Sequence, residues 1–220
     1  MARVDDENRI GIGPDAGERA PLRRRRALLD SAILEFSTYG IGGARVDRIA
    51  ARASSNKAMV YHYFDSKEDL YRAALQDIYA GIRDAEDRLD LDLDDPCGAI
   101  ATLVAFTFRY YIDHPAFVRM INTENLHGAS HLRTAGDMSG LNRPVLAKVE
   151  AILARGVASG TFRADVDALD LYISISALGF TYVSNRHTLK ILFGRDLLAD
   201  AAVEKRLETM TEMILRYLAP

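Results

Sequence analysis

Apolar residues recur along this chain at three- and four-residue intervals, and two-residue alternation is scarce, so the pattern predicts an all-α fold. Residues 22–95 and 145–219 contain no proline. Three internal prolines follow capping residues instead: Pro96 follows Asp94 and Asp95, Pro115 follows Asp113, and Pro144 follows Asn142. Proline suits a first helical turn, where its missing N–H would have no partner, and Asp or Asn just before it can cap. The predicted helices are 22–39, 46–53, 57–64, 67–89, 96–113, 115–128, 142–159, 167–186 and 196–218. Gly40 closes the first. Ser66 and Asp69 have capping-box spacing at the start of the fourth. Ile173-Ser174-Ile175-Ser176 alternates like a strand, but Leu171, Ile175, Leu178 and Tyr182 keep helical spacing, and Asp167 and Asp170 supply helix-start chemistry. In the last helix Val203, Leu207, Met210, Ile214 and Tyr217 form a heptad-like seam that needs a partner helix, in this chain or another.

Residues 46–64 read as two short helices joined by about three residues. Ile49, Ala50 and Ala53 form the apolar face of the first, and Val60 and Phe64 that of the second. The small alanines allow a close crossing. This is the helix-turn-helix pattern, whose second helix enters a DNA major groove. Its polar side would present Asn56, Lys57, Met59, Tyr61 and His62, with Ala58 small enough for close approach. Amides, ammonium groups and hydroxyls reach bases or phosphates, and Met59 suits a thymine methyl. Many helical hairpins share such a polar face, so charge matters next.

The chain of 220 residues carries a net charge of −3. Residues 22–67 hold nine Lys and Arg against four Asp and Glu, a net +5, which leaves −8 for the remainder. A basic module on an acidic body points to a polyanionic partner. Lys67 adds a helix start suited to phosphate. The run Arg23–Arg26 reads either as a phosphate or minor-groove contact for one or two of its members, or as a solvated helix surface. Residues 1–21 are Gly-rich and aperiodic and read as a mobile arm without secretory-signal character. No apolar run approaches the roughly 20 residues of a membrane span, so no membrane partner is expected. The single cysteine, Cys97, allows no internal disulfide or CxxC metal site, and the expected compartment is the cytoplasm. GxSxG, HExxH and phosphate-loop motifs are absent, so the reading is not an enzyme.

Ile49-Ala50-Ala51-Arg52-Ala53, then Asn56 through Tyr61-His62-Tyr63-Phe64, then Ser66-Lys67-Glu68-Asp69-Leu70, resembles the DNA-binding domain of the tetracycline-repressor (TetR) family across residues 22–75. A weaker likeness to one ligand-domain subgroup covers residues 114–196, carried by His114-Pro115 through Glu124-Asn125-Leu126 and by Asn185-Arg186-His187-Thr188-Leu189. The resemblance implies a three-helix DNA-binding head at 22–67 and a helical effector-binding and dimerisation body at 68–220. It implies a double-stranded operator, an unidentified small-molecule effector, release of the operator by that effector, and a homodimer through the last two helices. By the same likeness Arg45, Arg48, Tyr61, His62 and Lys67 lie near the DNA backbone, and Asn56, Lys57 and Met59 read bases. The sequence departs from the family where Gly and an apolar residue usually form the turn: here Ser54-Ser55 stand, and a serine forced to positive φ costs about 1 kcal/mol. A helical interaction module that has lost specific DNA binding is the alternative.

Helical bodies enclose pockets between helices. Polar or aromatic residues within apolar helices are the candidates: Phe106, Arg109, Tyr110, Met120, Asn122, Asn125, Tyr172, Ser176, Phe180 and, at a helix end, Asn185. Each also fits plain core. Arg109 is expected to pair with an internal acid such as Glu124 ahead of a carboxylate ligand. Glu124, His127 and His131 share one helical face, a spacing able to hold a divalent cation, but ordinary polarity is the preferred reading. No cofactor or metal is assigned.

Overall fold

The computed structural model describes residues 16–135 and 143–220. Within these it is all-helical: α1 Ala16–Gly43, α2 Val46–Arg52, α3 Lys57–Tyr63, α4 Lys67–Asp87, α5 Pro96–Asp113, α6 Pro115–Leu126, α7 Arg143–Ala158, α8 Ala168–Ser184, α9 Arg186–Phe193 and α10 Asp200–Leu218, with a single 3-10 turn at Leu132–Thr134. Asn142, expected as a cap, and residues 1–15 of the expected arm lie outside the described residues. From Ala16 the expected arm is helical, and Pro21 lies inside α1. A proline so near a helix start removes one hydrogen bond without ending the helix.

Helix α1 breaks at Gly40, whose φ of 62° and ψ of 173° leave helical space. That left-handed φ favours a residue without Cβ. Leu28, Leu29, Ala32 and Phe36 of α1 meet Val46, Ile49 and Ala50 of α2, Val60 of α3, and Leu70, Tyr71 and Ala74 of α4 in one core. Asp69 N–H donates to Ser66 Oγ at 3.0 Å, so Ser66 caps α4, and the Asp69 carboxylate accepts from the Ser66 hydroxyl. Helix α4 then continues without interruption into the body, where Leu75, Ile78 and Ile82 are buried. The expected division after Lys67 therefore falls in the first turn of a helix common to both parts.

In the body α5 packs against α7, α8 and α10. The ambiguous segment is helical, with Ile175 buried and Ile173 outward. At Gly156 of α7 a Cβ would run into the Phe162 ring, so the glycine makes room for that side chain. The seam of α10 divides. Met210 and Ile214 are buried in the core of their own chain, while Tyr217 is 44% exposed. Its mates are therefore α5 and α8 of the same chain. Helix α9 and the 3-10 turn were not expected. Eight residues ending in Ile191-Leu192-Phe193 bury no side chain, so no inward stripe announces the helix.

Candidate nucleic-acid interface

The second short helix lies outward. Val60 is its only buried residue, and Asn56, Lys57, Ala58, Tyr61 and His62 are exposed, with Met59 half-buried. Tyr61 is 42% exposed. Asn56 caps α3: its Oδ1 accepts the Met59 N–H at 2.9 Å, and its Nδ2 remains to donate. Lys57 Nζ lies 3.7 Å from Asp47 on α2, a surface pair that leaves the ammonium in solvent. Lys67 is the first residue of α4, beside N–H groups that have no intrahelical partner.

The strength of the head lies underneath. Glu35 of α1 is fully buried. It accepts the Arg45 backbone N–H at 3.1 Å and Arg48 Nε at 2.6 Å, and Arg52 lies 3.6 Å away. Burial alone would raise this carboxyl. The hydrogen bonds from Arg48 and Arg45, with the charges of Arg48 and Arg52, outweigh it and hold the group below its ordinary value. Arg48 also donates to the Gly43 carbonyl at 3.0 Å and lies over the Tyr39 ring at 4.3 Å. The guanidinium of Arg48 is thus committed to orienting α2 on α1, whereas the Arg45 side chain is exposed. In the turn, Ser54 adopts φ +49°, the conformation its usual glycine would take without strain. The Ser55 Oγ is buried without a protein partner.

A groove of about 1120 Å³ separates the head from the body. Ile33 and Leu34 of α1 form one wall, and Ile78 of α4, Phe106 and Tyr110 of α5 and Phe117 of α6 form the other. Arg26 crosses it, donating to both carboxylate oxygens of Asp77 at 2.6 and 3.0 Å. Such a two-pronged guanidinium–carboxylate contact fixes orientation as well as distance.

Residues 28–74 match the family model described as bacterial regulatory proteins of the tetR family, and residues 96–214 match that of the tetracyclin repressor-like C-terminal domain. The HTH-type transcriptional repressor NicS of Pseudomonas putida is 39% identical over 196 residues, covering 89% of this chain and 92% of that protein. The chain belongs to the TetR family. It is a DNA-binding transcriptional regulator. RutR of Escherichia coli, an HTH-type transcriptional regulator, is 27% identical over 202 residues, covering 92% of this chain and 93% of RutR. Among solved structures, the regulator SCO4942 of Streptomyces coelicolor shares the fold with a TM-score of 0.66 at 23% identity, covering 90% of this chain and 99% of that one.

Of the residues singled out in the TetR body, Phe106, Arg109 and Tyr110 line the groove. The others do not meet there. Met120 is fully buried core, Asn122 is exposed, and the exposed Asn125 and Asn185 donate to the Ile121 and Thr181 carbonyls of their own helices. Phe180 meets Tyr111 edge-on at 5.5 Å. The acid beside Arg109 is Glu204 at 3.5 Å, not Glu124. Glu124 instead accepts the backbone N–H groups of His131 and Leu132 at 2.7 and 3.0 Å, which ties down the loop after α6. His131 Nδ1 is 3.1 Å from Glu124, but Glu124, His127 and His131 do not assemble into a metal-holding cluster.

Two sets of residues escaped the sequence reading. The first is the α1 wall of the groove, because no sequence spacing shows that a head helix packs on α6. The second is Arg83, Glu86 and Thr107, buried polar groups of the body that include the partner of the singled-out Tyr172. Arg83 lies 2.6 Å from the buried Glu86, which accepts the Tyr172 hydroxyl at 3.0 Å. Burial raises the Glu86 carboxyl despite Arg83 beside it. Burial likewise pushes the Tyr110 hydroxyl up to about 12. Arg83 Nε, Thr107 Oγ1 and Ser176 Oγ are buried with no protein partner. Helical spacing signals burial of apolar residues; it cannot show that polar ones share the same interior.

Proposed function

We propose that this chain is a cytoplasmic homodimeric repressor whose α3 enters the major groove of an operator and whose effector occupies the groove between head and body. The observation that carries the reading is the outward face of α3 on a head braced by Glu35. Asn56 Nδ2, Lys57 and Met59 face base edges, and Ala58 lets the helix come close. Arg45, Tyr61, His62 and Lys67 hold the phosphates. Arg48 acts one step back, by orienting α2 through Glu35. The identity of NicS as a repressor supports repression here. The groove supports the choice of effector site, because an occupant would touch α1 of the head and α4, α5 and α6 of the body at once. A molecule that displaced Arg26 from Asp77 would change how the head sits on the body, which differential binding converts into altered operator affinity. The exposed apolar positions Leu169 and Ile173 of α8 and Met213 and Tyr217 of α10 support a dimer through the last two long helices.

Footprinting on genomic DNA, followed by a thermal-shift screen of metabolites from the neighbouring genes, tests this. Protection of discrete palindromic sites, lost on adding a compound that raises the melting temperature, is expected. Uniform or absent protection would instead favour an interaction module without DNA specificity.

A further inference from the structure

The run Arg23–Arg26 is divided by the helix that carries it. Arg26 is neutralised, lying 2.6 Å from both Asp30 and Asp77. Arg23, three residues before it, shares the face of α1 that carries Asp30 and Leu34 toward the groove. The other two arginines point elsewhere. Arg25, Leu29, Ala32 and Phe36 follow one another at four, three and four residues, and so do Arg24, Leu28, Ser31 and Glu35. All of these except the two arginines are buried. Two inward stripes of α1 thus each end in an exposed guanidinium, where the core of the head runs out.

Each stripe leads to the elements that read DNA. The Arg25 guanidinium lies 5.0 Å from the ring centre of Phe64, the residue that closes α3. Lys67 opens α4 three residues later. A guanidinium laid on a ring keeps its N–H edge free, so the stack holds Arg25 in place without using its donors. On the second stripe the Ser31 carbonyl accepts from Arg52, the last residue of α2, at 3.2 Å. Glu35 answers to Arg45 and Arg48 at the other end of α2. Helices α1 and α2 therefore run antiparallel. Arg24, seven residues before Ser31, stands about 10 Å beyond the end of α2, on the side of the turn into α3. Among the described residues, Arg26 is the member of the run that pairs with acids, which leaves the charges of Arg24 and Arg25 uncompensated.

We propose that Arg24 and Arg25 make a DNA contact that the helix-turn-helix does not supply: the third turn of α1 grips backbone phosphate beside the phosphate held by Lys67. The inference rests on α3 reading the operator, because that docking sets where the duplex lies. The contact is to the backbone and not within the minor groove. Ala16 to Arg26 are helical, and a helix about 10–12 Å across does not enter a groove about 6 Å wide. Planar guanidinium groups suit phosphate, and such contacts add affinity on any duplex without reading sequence. One run of four arginines then does two things. Arg26 ties the head to the body, while Arg24 and Arg25 hold DNA.

The test is binding of the full chain to its operator fragment and to a scrambled fragment of equal length, each across a salt series. Arg24→Gln and Arg25→Met are each expected to make the plot of log affinity against log salt shallower by about 0.9, equally on both DNAs. Arg25→Met keeps an unbranched apolar chain over Phe64, so its effect reports charge and not packing. Arg25→Lys should keep the parent slope. Arg23→Gln removes the same charge from the groove face and should leave the slope unchanged. An unchanged slope in the Arg24→Gln, Arg25→Met double variant overturns the contact. So does an equal loss in Arg23→Gln, which would reduce the effect to net charge, or a loss confined to the operator, which would make the pair base readers. If Lys67→Ala flattens the slope while the double variant does not, this inference fails and the α3 reading stands. If the parent binds neither DNA, both fail.

Discussion

The head and the body treat the buried carboxyl groups of Glu35 and Glu86 in opposite ways. In the head Glu35 accepts from Arg45 and Arg48 through Oε1, Asn56 and Ser66 each satisfy a helix start, and the carboxylate is held ionised, although its Oε2 and Ser55 Oγ are buried without hydrogen-bond partners. In the body Thr107 Oγ1, Ser176 Oγ and Arg83 Nε are buried without protein partners, Glu86 resists ionisation, and a groove of about 1120 Å³ stands open. A carboxylate bound by charged groups of a neighbouring helix fixes what it joins; a group whose burial outweighs its partners has less to lose from rearrangement. The difference braces the short helices of the head and leaves the groove between α1 and the body open.

The largest effect should come from breaking the head's network. Glu35→Ala removes the acceptor that joins α1 to Arg45, Arg48 and Arg52, and should cost about 2–3 kcal/mol in urea unfolding, below the full loss of a buried pair because both guanidinium groups are partly exposed. DNA affinity should fall with it. In the body the sign should reverse. Thr107→Val keeps the shape and deletes an unpaired hydroxyl, so the same unfolding assay should show a gain of about 1 kcal/mol. Ser54→Gly should also gain about 1 kcal/mol by relieving the positive φ, without altering the specificity of operator binding.

Acid should separate the two regions without any mutation. Glu35 is held below its ordinary value, so its stabilisation is complete above the unfolded value of 4.5 and is lost as pH falls through the lower folded value. Glu86 is raised, so its ionisation costs stability at neutral pH, and that cost disappears as pH falls through the raised value toward 4.5. Hydrogen exchange measured between neutral pH and pH 4 should show protection near Glu86 rising relative to that near Glu35. Glu86→Gln should flatten the trend in the body only.

Much of this was legible in the sequence, for identifiable reasons. Helices preceded by Asn56 and Ser66 announce their own starts, so the expected starts of α3 and α4 at Lys57 and Lys67 match the structure. The strain at Ser54 followed from a turn that needs positive φ whatever residue occupies it. The seam of α10 was visible as spacing, but spacing does not say in which chain the mate lies; Met210 and Ile214 answer to α5 and α8 of their own chain. Helix α9 and the α1 wall of the groove depend on long-range packing, as do Arg109 beside Glu204 and Glu86 beside Tyr172. The last two pairs join residues 86 or more positions apart, and no local pattern encodes them.

The outward reading face of α3 is the claim on which the rest depends, and operator affinity as a function of salt tests it most directly. With the protein's own operator fragment, log affinity should fall linearly with log salt. Lys67→Ala should make that slope shallower by about 0.9 for each phosphate it leaves unneutralised, equally on operator and scrambled DNA. Lys57→Ala should instead erode the preference for operator over scrambled sequence. If Lys57→Ala and Lys67→Ala weaken both DNAs alike, or if binding is indifferent to salt, α3 does not read the operator and the account fails.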